Sequence, residues 1–277
     1  MRSSTVSNID LTADRCLLSD GRTLSYTTAG DPNGDPIIVH HGTPGSRLFA
    51  ALLDDSAEDA GVRLVTPDRP GYGHSTPPPD EWGWTEWRFD VEELLDSESI
   101  ETAGVLGFSG GGPFAISAGT SDRIAEIGLV SALIPPAEGM LASLARAPVV
   151  LRTMFRLSYG ISRLLGPTAV VKQYTDRNVP NTITERVAAD FHEAFQQGIG
   201  AVTRESRMAA MAAFNPKPSR TPIRAWHGRA DENAPLRSLL TFAENTGCRV
   251  KAGNSDHLGT VLDYRREILE WFAKDRY

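Results

Sequence analysis

Apolar and polar positions divide the chain into short apolar runs separated by amphipathic stretches. Parallel strands that helices cover on both faces have near-continuous apolar sequences without strict alternation, and these runs are of that kind. We therefore predict an α/β fold with a doubly wound, mostly parallel sheet. The predicted strands are PIIVHHG (36–42), VRLVTPD (62–68), AGVLGFS (103–109), IAEIGLVSAL (124–133), TPIRAWHG (221–228) and CRVKAG (248–253).

The stretches between these runs have helical periodicity. Apolar residues recur at helical spacing in SRLFAALLDDSAEDAG, and a terminal glycine marks the end of that helix. Helices are also predicted around 85–99, in the small-residue segment GGPFAISAGTS (111–121), around 235–246, and from Gly259 to Tyr277.

The strand pattern stops in the middle of the chain, where helical periodicity continues between two proline-rich segments. We predict a core of residues 1–134 and 216–277 with an inserted helical cap at 135–215. From 135 to 220 the chain has 11 Lys and Arg against 6 Asp and Glu, although its net charge is -7. A basic cap would favour an anionic substrate, unless its arginines are only solvated surface charge.

The segment GFSGG, residues 107–111, follows a predicted strand and precedes a predicted helix. It matches G-x-S-x-G, the nucleophile elbow, in which small residues two before and two after the serine prevent collisions in a tight turn. This makes Ser109 the candidate nucleophile. A structural turn is the alternative, while a phosphate loop is disfavoured because no Lys-Ser or Lys-Thr pair follows.

A serine nucleophile needs a base, and the base needs an orienting carboxylate. His257 lies between the last predicted strand and the last helix, and Asp231 follows the preceding strand. The order Ser109, Asp231, His257 is the order typical of enzymes with such an elbow. Other candidates for the acid are Glu138, Glu232 and Asp256, and the remaining histidines are His40, His41, His74, His192 and His227.

An oxyanion hole needs two backbone N–H donors. Gly110, directly after the nucleophile, is the first candidate. The loop HGTPGS, residues 41–46, follows a predicted strand and would supply the second. Thr43 is the candidate there, because Pro44 has no N–H.

Five segments together resemble the α/β-hydrolase superfamily, specifically its capped branch of proline iminopeptidase-like enzymes and bacterial esterases. Relatives that use aspartate at the elbow, the haloalkane dehalogenases and epoxide hydrolases, differ from this chain, which has Ser109. The resemblance therefore implies acyl-transfer chemistry that needs no metal and no organic cofactor, and it implies that DRPGYGHS lies near the pocket. The segments are HGTPGS, DRPGYGHS, GFSGGG, HGRADENAP and SDHLGT.

This resemblance leads us to expect a serine hydrolase of a small-molecule carboxylic ester or lactone. A proline iminopeptidase-like aminopeptidase is an alternative, disfavoured by the basic cap and by the absence of a GGSWG elbow. Cleavage of C–C bonds, perhydrolase-like chemistry and a ligand receptor without turnover remain open, because fold does not determine function.

Composition excludes some partners. The acidic balance disfavours nucleic acid, whose affinity depends on Lys and Arg contacts to phosphate. Two distant cysteines, Cys16 and Cys248, form neither a disulfide framework nor a zinc site. The N-terminal segment lacks an apolar signal-peptide region, and no run is long enough to span a bilayer. We expect a cytoplasmic protein without a membrane partner.

Overall fold

The computed structural model describes residues 12–215 and 221–273, which form one eight-stranded sheet with helices on both faces. The strand order is β1-β2-β4-β3-β5-β6-β7-β8. The pairs β1/β2 and β2/β4 are antiparallel, and the other described pairs are parallel. The strands are β1 Asp14–Leu17, β2 Thr23–Gly30, β3 Asp35–His40, β4 Val62–Pro67, β5 Ala103–Phe108, β6 Ile124–Val130, β7 Ile223–Gly228 and β8 Arg249–Gly253.

The predicted doubly wound, mostly parallel sheet is confirmed, but the sequence analysis missed β1 and β2. The sequence of β2, TLSYTTAG, buries polar side chains, with Ser25 and Thr27 almost fully enclosed. A strand with buried hydroxyl groups lacks the continuous apolar run by which the other strands were recognised.

Helices pack on both faces of the sheet. α1 and α10 contribute to one apolar cluster, and α2, α3 and α9 contribute to the other. The predicted helix at 46–61 is in fact divided into a 3-10 segment, Arg47–Leu52, and α1. The flanking helices are α1 Asp54–Ala60, α2 Trp84–Ser97, α3 Gly112–Ala118, α9 Leu236–Thr246 and α10 His257–Phe272.

Helices occupy the region between β6 and β7, where residues 131–215 are described without a strand. Within the described parts of the chain, no helix combines the length and the apolar character that crossing a membrane requires. These helices are α4 Gly139–Ala145, α5 Pro148–Leu165, α6 Pro167–Val171, α7 Asn181–Ala194 and α8 Gly200–Met211.

The last helix begins two residues before its predicted start at Gly259, because Asp256 caps it. Its predicted final residues, 274–277, lie outside the described residues. So do most of the N-terminal segment inspected for a signal peptide and residues 216–220, at the predicted boundary between cap and core.

Candidate active site

Ser109 lies at the turn between β5 and α3, with a backbone φ of 53°. Residues other than glycine rarely adopt such a left-handed conformation, which costs free energy that the surrounding structure must supply. A Cβ atom on Gly107 would lie 2.7 Å from the Gly111 carbonyl oxygen, and one on Gly111 would collide with the His40 carbonyl oxygen. Both glycines are therefore required by close backbone approach, as the motif predicted.

Three side chains from different loops meet at this turn. His257 Nε2 lies 2.9 Å from Ser109 Oγ. On the opposite side of the imidazole, Nδ1 lies 2.9 Å and 2.8 Å from the two carboxylate oxygens of Asp231. The structure thus brings together Ser109, Asp231 and His257 in a hydrogen-bonded chain that can move a proton away from the serine hydroxyl.

Burial and hydrogen bonding act in opposite directions on Asp231. Burial alone would raise the pKa of its carboxyl group, but hydrogen bonding and charge interaction with His257 hold that pKa below its usual value. The carboxylate is therefore charged at neutral pH and favours the Nδ1–H tautomer of the imidazole.

Ser131, which the sequence analysis did not single out, supports this arrangement. It follows β6, has a φ of 43°, and its hydroxyl donates to the His257 carbonyl oxygen over 3.2 Å. No local motif marks a serine in such a position.

The alternative acids lie elsewhere. Glu138 and Glu232 line the cavity in front of Ser109, and Asp256 accepts a hydrogen bond from the Gly259 N–H at the start of α10. Asp256 therefore serves the helix end, not the imidazole.

The alternative histidines also have other surroundings. Burial lowers the pKa of His40 to about 3, and burial lowers the pKa of His41 and His227 as well. His192 contacts Ser162 on α5, and His74 lies near Glu193. Only His257, among the six histidines, is hydrogen-bonded to Ser109 in the described residues.

The two predicted oxyanion-hole residues are neighbours. A Cβ atom on Gly110 would lie 3.2 Å from the Thr43 backbone nitrogen and would clash with the Thr43 side chain. The loop after β3 and the turn after β5 thus approach each other as closely as glycine permits, next to Ser109.

A fully buried arginine holds this loop from below. Arg69, in the segment DRPGYGHS, donates to the Gly42 carbonyl oxygen at 3.0 Å and to Thr43 Oγ1 at 2.9 Å. Its charge is balanced by Glu205 of α8, whose carboxylate it contacts at 2.8 Å. Glu205 also accepts hydrogen bonds from Thr43 Oγ1 and from the hydroxyl of Tyr72.

DRPGYGHS was expected near the pocket, but no pattern in the sequence pointed to Glu205. Both Arg69 and Glu205 are almost fully buried. Their separation in the chain, 136 residues, leaves no local signal that would pair them.

A second carboxylate from the helical region contacts the same loop. Asp190 of α7 accepts hydrogen bonds from the Ser46 backbone N–H at 2.7 Å and from the Ser46 hydroxyl at 2.9 Å. Burial raises the pKa of Asp190 to about 7, and these hydrogen bonds only partly offset that effect.

Two cavities adjoin Ser109. A small one of about 20 Å³ has mainly apolar walls, to which Asp190 contributes one polar group. A larger one of about 560 Å³ also contacts Gly110, Thr43 and His257. Its charged lining residues, apart from His257, are Glu138, Glu205 and Glu232, without a lysine or an arginine from the described residues. The basic residues described within 135–215 therefore do not line this cavity.

The sequence of this chain is similar to those of several known proteins. A family model described as alpha/beta hydrolase fold matches residues 35–156. The uncharacterized hydrolase YcgS of Bacillus subtilis is 36% identical over 97 residues, which is 35% of this chain and only 33% of that protein. The 2-hydroxymuconate semialdehyde hydrolase of a Pseudomonas species is 26% identical over 76% of this chain and 75% of its own.

Solved structures agree on the fold. An esterase from Exiguobacterium antarcticum superposes with a TM-score of 0.68 at 19% identity, covering 94% of this chain and 97% of its own. At that identity the likeness concerns the fold and not the substrate.

Proposed function

We propose that this chain, which is similar to proteins of the α/β-hydrolase fold, hydrolyses a carboxylic ester or lactone through an acyl-enzyme. The single observation that carries the proposal is the hydrogen-bonded series from Ser109 Oγ through His257 to Asp231, built at a strained turn. A serine hydroxyl so placed is activated for attack on a carbonyl carbon.

In the proposed mechanism, Ser109 Oγ attacks the substrate carbonyl while His257 Nε2 takes its proton. Asp231 stabilises the imidazolium that forms and remains ionised. The N–H groups of Thr43 and Gly110 stabilise the oxyanion. His257 then protonates the departing alkoxide, and a water molecule, deprotonated by the same imidazole, releases the acyl group.

The sizes of the two cavities suggest how large the acyl and alcohol portions of the substrate are. The small cavity beside Ser109 has about 20 Å³, little more than one water molecule occupies, so it would restrict the acyl group to a short chain, and the larger cavity would receive the bulkier alcohol portion. In this proposal residues 135–215 act as a cap that closes both cavities from above the sheet, since α7 contributes to the first and α8 to the second.

Hydrolysis of p-nitrophenyl esters of increasing acyl length tests the proposal. We expect acetate and butyrate esters to be cleaved faster than decanoate, and Ser109→Ala to lose at least about 10⁴-fold in kcat. Ser206→Ala, which changes another serine lining the larger cavity, should retain most activity. Labelling of Ser109 by a fluorophosphonate without turnover of any ester would contradict the substrate class, and no labelling would favour a receptor.

The carboxylates around the larger cavity favour one alternative, an aminopeptidase that binds a protonated amine. Glu138 and Glu232 lie at the cavity in addition to the paired Glu205, and no lysine or arginine opposes them in the described lining. Aminoacyl p-nitroanilides distinguish the two functions. Turnover of prolyl anilides that falls in Glu232→Gln, with no turnover of esters, would replace the ester proposal.

A further inference from the structure

Helix α5 has an apolar face that the rest of the described chain does not cover. Six of the ten exposed large hydrophobic side chains in the described residues lie on this one helix, with exposed fractions between 51% and 83%. Exposed apolar residues are normally scattered singly, so such a concentration marks an interaction surface. The six are Val149, Val150, Leu157, Ile161, Leu164 and Leu165.

The helix presents three distinct sectors. At about 100° per residue, five of the six exposed apolar side chains fall within roughly a third of the circumference. Leu151 and Phe155 are buried and attach the helix to the protein. The exposed arginines at 152, 156 and 163 occupy the remaining sector. A groove of about 660 Å³, with mostly apolar walls, separates the exposed apolar stripe from α6.

Positive charge accompanies the apolar face. Residues 139–175 contain five lysines and arginines and no aspartate or glutamate, in a chain whose net charge is -7. All five side chains are exposed, and none forms a salt bridge with another described residue. They are Arg146, Arg152, Arg156, Arg163 and Lys172.

We propose that α5, with the basic residues of 139–175, is a docking surface for an anionic lipid bilayer. A helix that combines an apolar stripe with arginines lies in the plane of a membrane interface, burying the stripe among acyl chains. The long arginine side chains reach the phosphate groups, and each basic residue near the surface adds to the attraction. A partner for this surface needs an apolar region for the stripe and negative charge for the basic residues, and an anionic bilayer has both.

Other occupants match only one of the two properties. A symmetric pair of this chain joined through the apolar stripe would leave the arginine sector, roughly 150° away around the helix, without a partner. A nucleic acid would satisfy the cations but would leave the aliphatic stripe exposed to water.

The docking surface adjoins the proposed catalytic cavity. Met154 and Gln173 line both the groove beside α5 and the cavity in front of Ser109. A lipophilic ester dissolved in the bilayer would therefore be next to the cavity once α5 is docked. This proposal replaces our expectation from the sequence that the protein has no membrane partner.

Co-sedimentation of the full chain with vesicles tests the proposal without relying on hydrolysis. The probes are vesicles of phosphatidylcholine alone and of phosphatidylcholine with 40 mol% phosphatidylglycerol, a composition chosen as roughly that of a strongly anionic bilayer. We expect binding to the anionic vesicles, weakening as salt is raised, and little binding to the neutral ones. Failure to bind anionic vesicles at low salt would overturn the proposal, whatever the outcome of the esterase assay.

Two pairs of variants locate the contact. Leu157→Glu/Ile161→Glu should weaken binding at least about tenfold, while the matched change of two exposed leucines elsewhere, Leu17→Glu/Leu240→Glu, should not. A triple arginine-to-glutamine change at 152, 156 and 163 should also weaken binding about tenfold or more, unlike the same change at exposed Arg15, Arg237 and Arg249.

Circular dichroism establishes that each variant is folded. Equal loss in test and control variants would contradict the proposed location. Sedimentation velocity tests the competing explanation that α5 joins two copies of this chain. A wild type that is a dimer, a Leu157→Glu/Ile161→Glu variant that is a monomer, and no vesicle binding by either protein would contradict the bilayer proposal.

Discussion

Asp190 buries a carboxyl group against the loop that carries Thr43 and Ser46. Its pKa in the folded protein is about 7, above the ordinary value of 3.8, because burial disfavours the charged form. Between these two values the folded chain keeps a proton that the unfolded chain releases. The contribution of Asp190 to stability is therefore present at low pH, falls as the pH rises to about 7, and stays low above it.

Asp190→Asn should remove this pH dependence. Asparagine keeps an oxygen that accepts from Ser46 and carries no charge, so the variant should be more stable than the wild type at pH 8 by up to about 4 kcal/mol. At pH 4 the two should be nearly equally stable. Thermal unfolding measured from pH 4 to pH 8 gives the comparison.

An exposed aspartate provides the control for this experiment. Asp122→Asn changes the same functional group on the surface, and its stability difference from the wild type should vary little with pH. A difference for Asp190→Asn that is equally independent of pH would show that Asp190 is already charged when the protein is folded at pH 4.

Helix α10 positions the imidazole through its first turn, because His257 is the first residue of the helix. Asp256 caps it by accepting from the Gly259 N–H at 2.7 Å. Its second carboxylate oxygen accepts from the hydroxyl of Thr175, just after α6. One side chain therefore fixes both the helix start and the approach of the helical region.

Asp256→Ala should destabilise the protein by about 1–2 kcal/mol, the usual cost of losing an N-cap. Because the first turn holds His257, we also expect kcat for ester hydrolysis to fall severalfold. Denaturant unfolding and steady-state kinetics measure the two effects.

Glu270→Ala, at the other end of the same helix, is the matched control. Its ion pair with Arg266 is exposed, so its loss should change neither quantity appreciably. Equal effects of both substitutions would mean that the cap does not position His257.

At the scale of helices and strands, much of the fold was predictable because buried parallel strands have a distinctive pattern. β3 to β7 were recognised by their apolar runs, β8 lies at the sheet edge without a buried residue, and β2 was missed because it buries Ser25 and Thr27. The single helix predicted at 46–61 was wrong, because the chain forms a 3-10 segment followed by α1. The spacing of apolar residues does not distinguish these two short elements from one continuous helix.

In the candidate site, residues that belong to a local motif were predictable from the sequence, and residues that act on distant parts of the chain were not. The elbow at Ser109 was readable because its glycines follow from a local steric requirement. Ser131 and Glu205 were not readable, because each acts on residues far away in the chain and neither belongs to a local motif. Charge summed over the helical region was misleading, since its basic residues at 146, 152, 156, 163 and 172 are exposed, while its carboxylates Asp190 and Glu205 contact loops of the sheet.

At the scale of the whole molecule, the helical region is joined to the sheet by the ion pair between Arg69 and Glu205. Removing one partner of such a buried pair leaves an uncompensated charge. Glu205→Gln should therefore destabilise the protein by about 3–5 kcal/mol. At a temperature where the variant remains folded, kcat should fall about 10- to 100-fold with little change in KM, because glutamine offers one acceptor oxygen where Thr43, Tyr72 and Arg69 now share two, and the loop that carries Thr43 is held less firmly.

Glu185→Gln, an exposed position on α7, should leave both stability and kcat close to those of the wild type. A Glu205→Gln variant that is destabilised but has an unchanged kcat would show that the ion pair supports only the fold. Comparison of kcat with KM separates the two roles.

The hydrogen bonds that Thr43 Oγ1 forms with Arg69 and Glu205 also limit how the helical region can be replaced by that of another protein. A chimaera that received its helical region from a relative without a carboxylate at this place would keep Arg69 in the loop after β4 but leave it without its partner. Such a transplant would leave the guanidinium without its carboxylate and the predicted oxyanion loop without its support, even if both donor parts fold well. The helical region and the sheet would therefore have to be exchanged together, and a change in ligand range would have to come from substitutions within the existing helices.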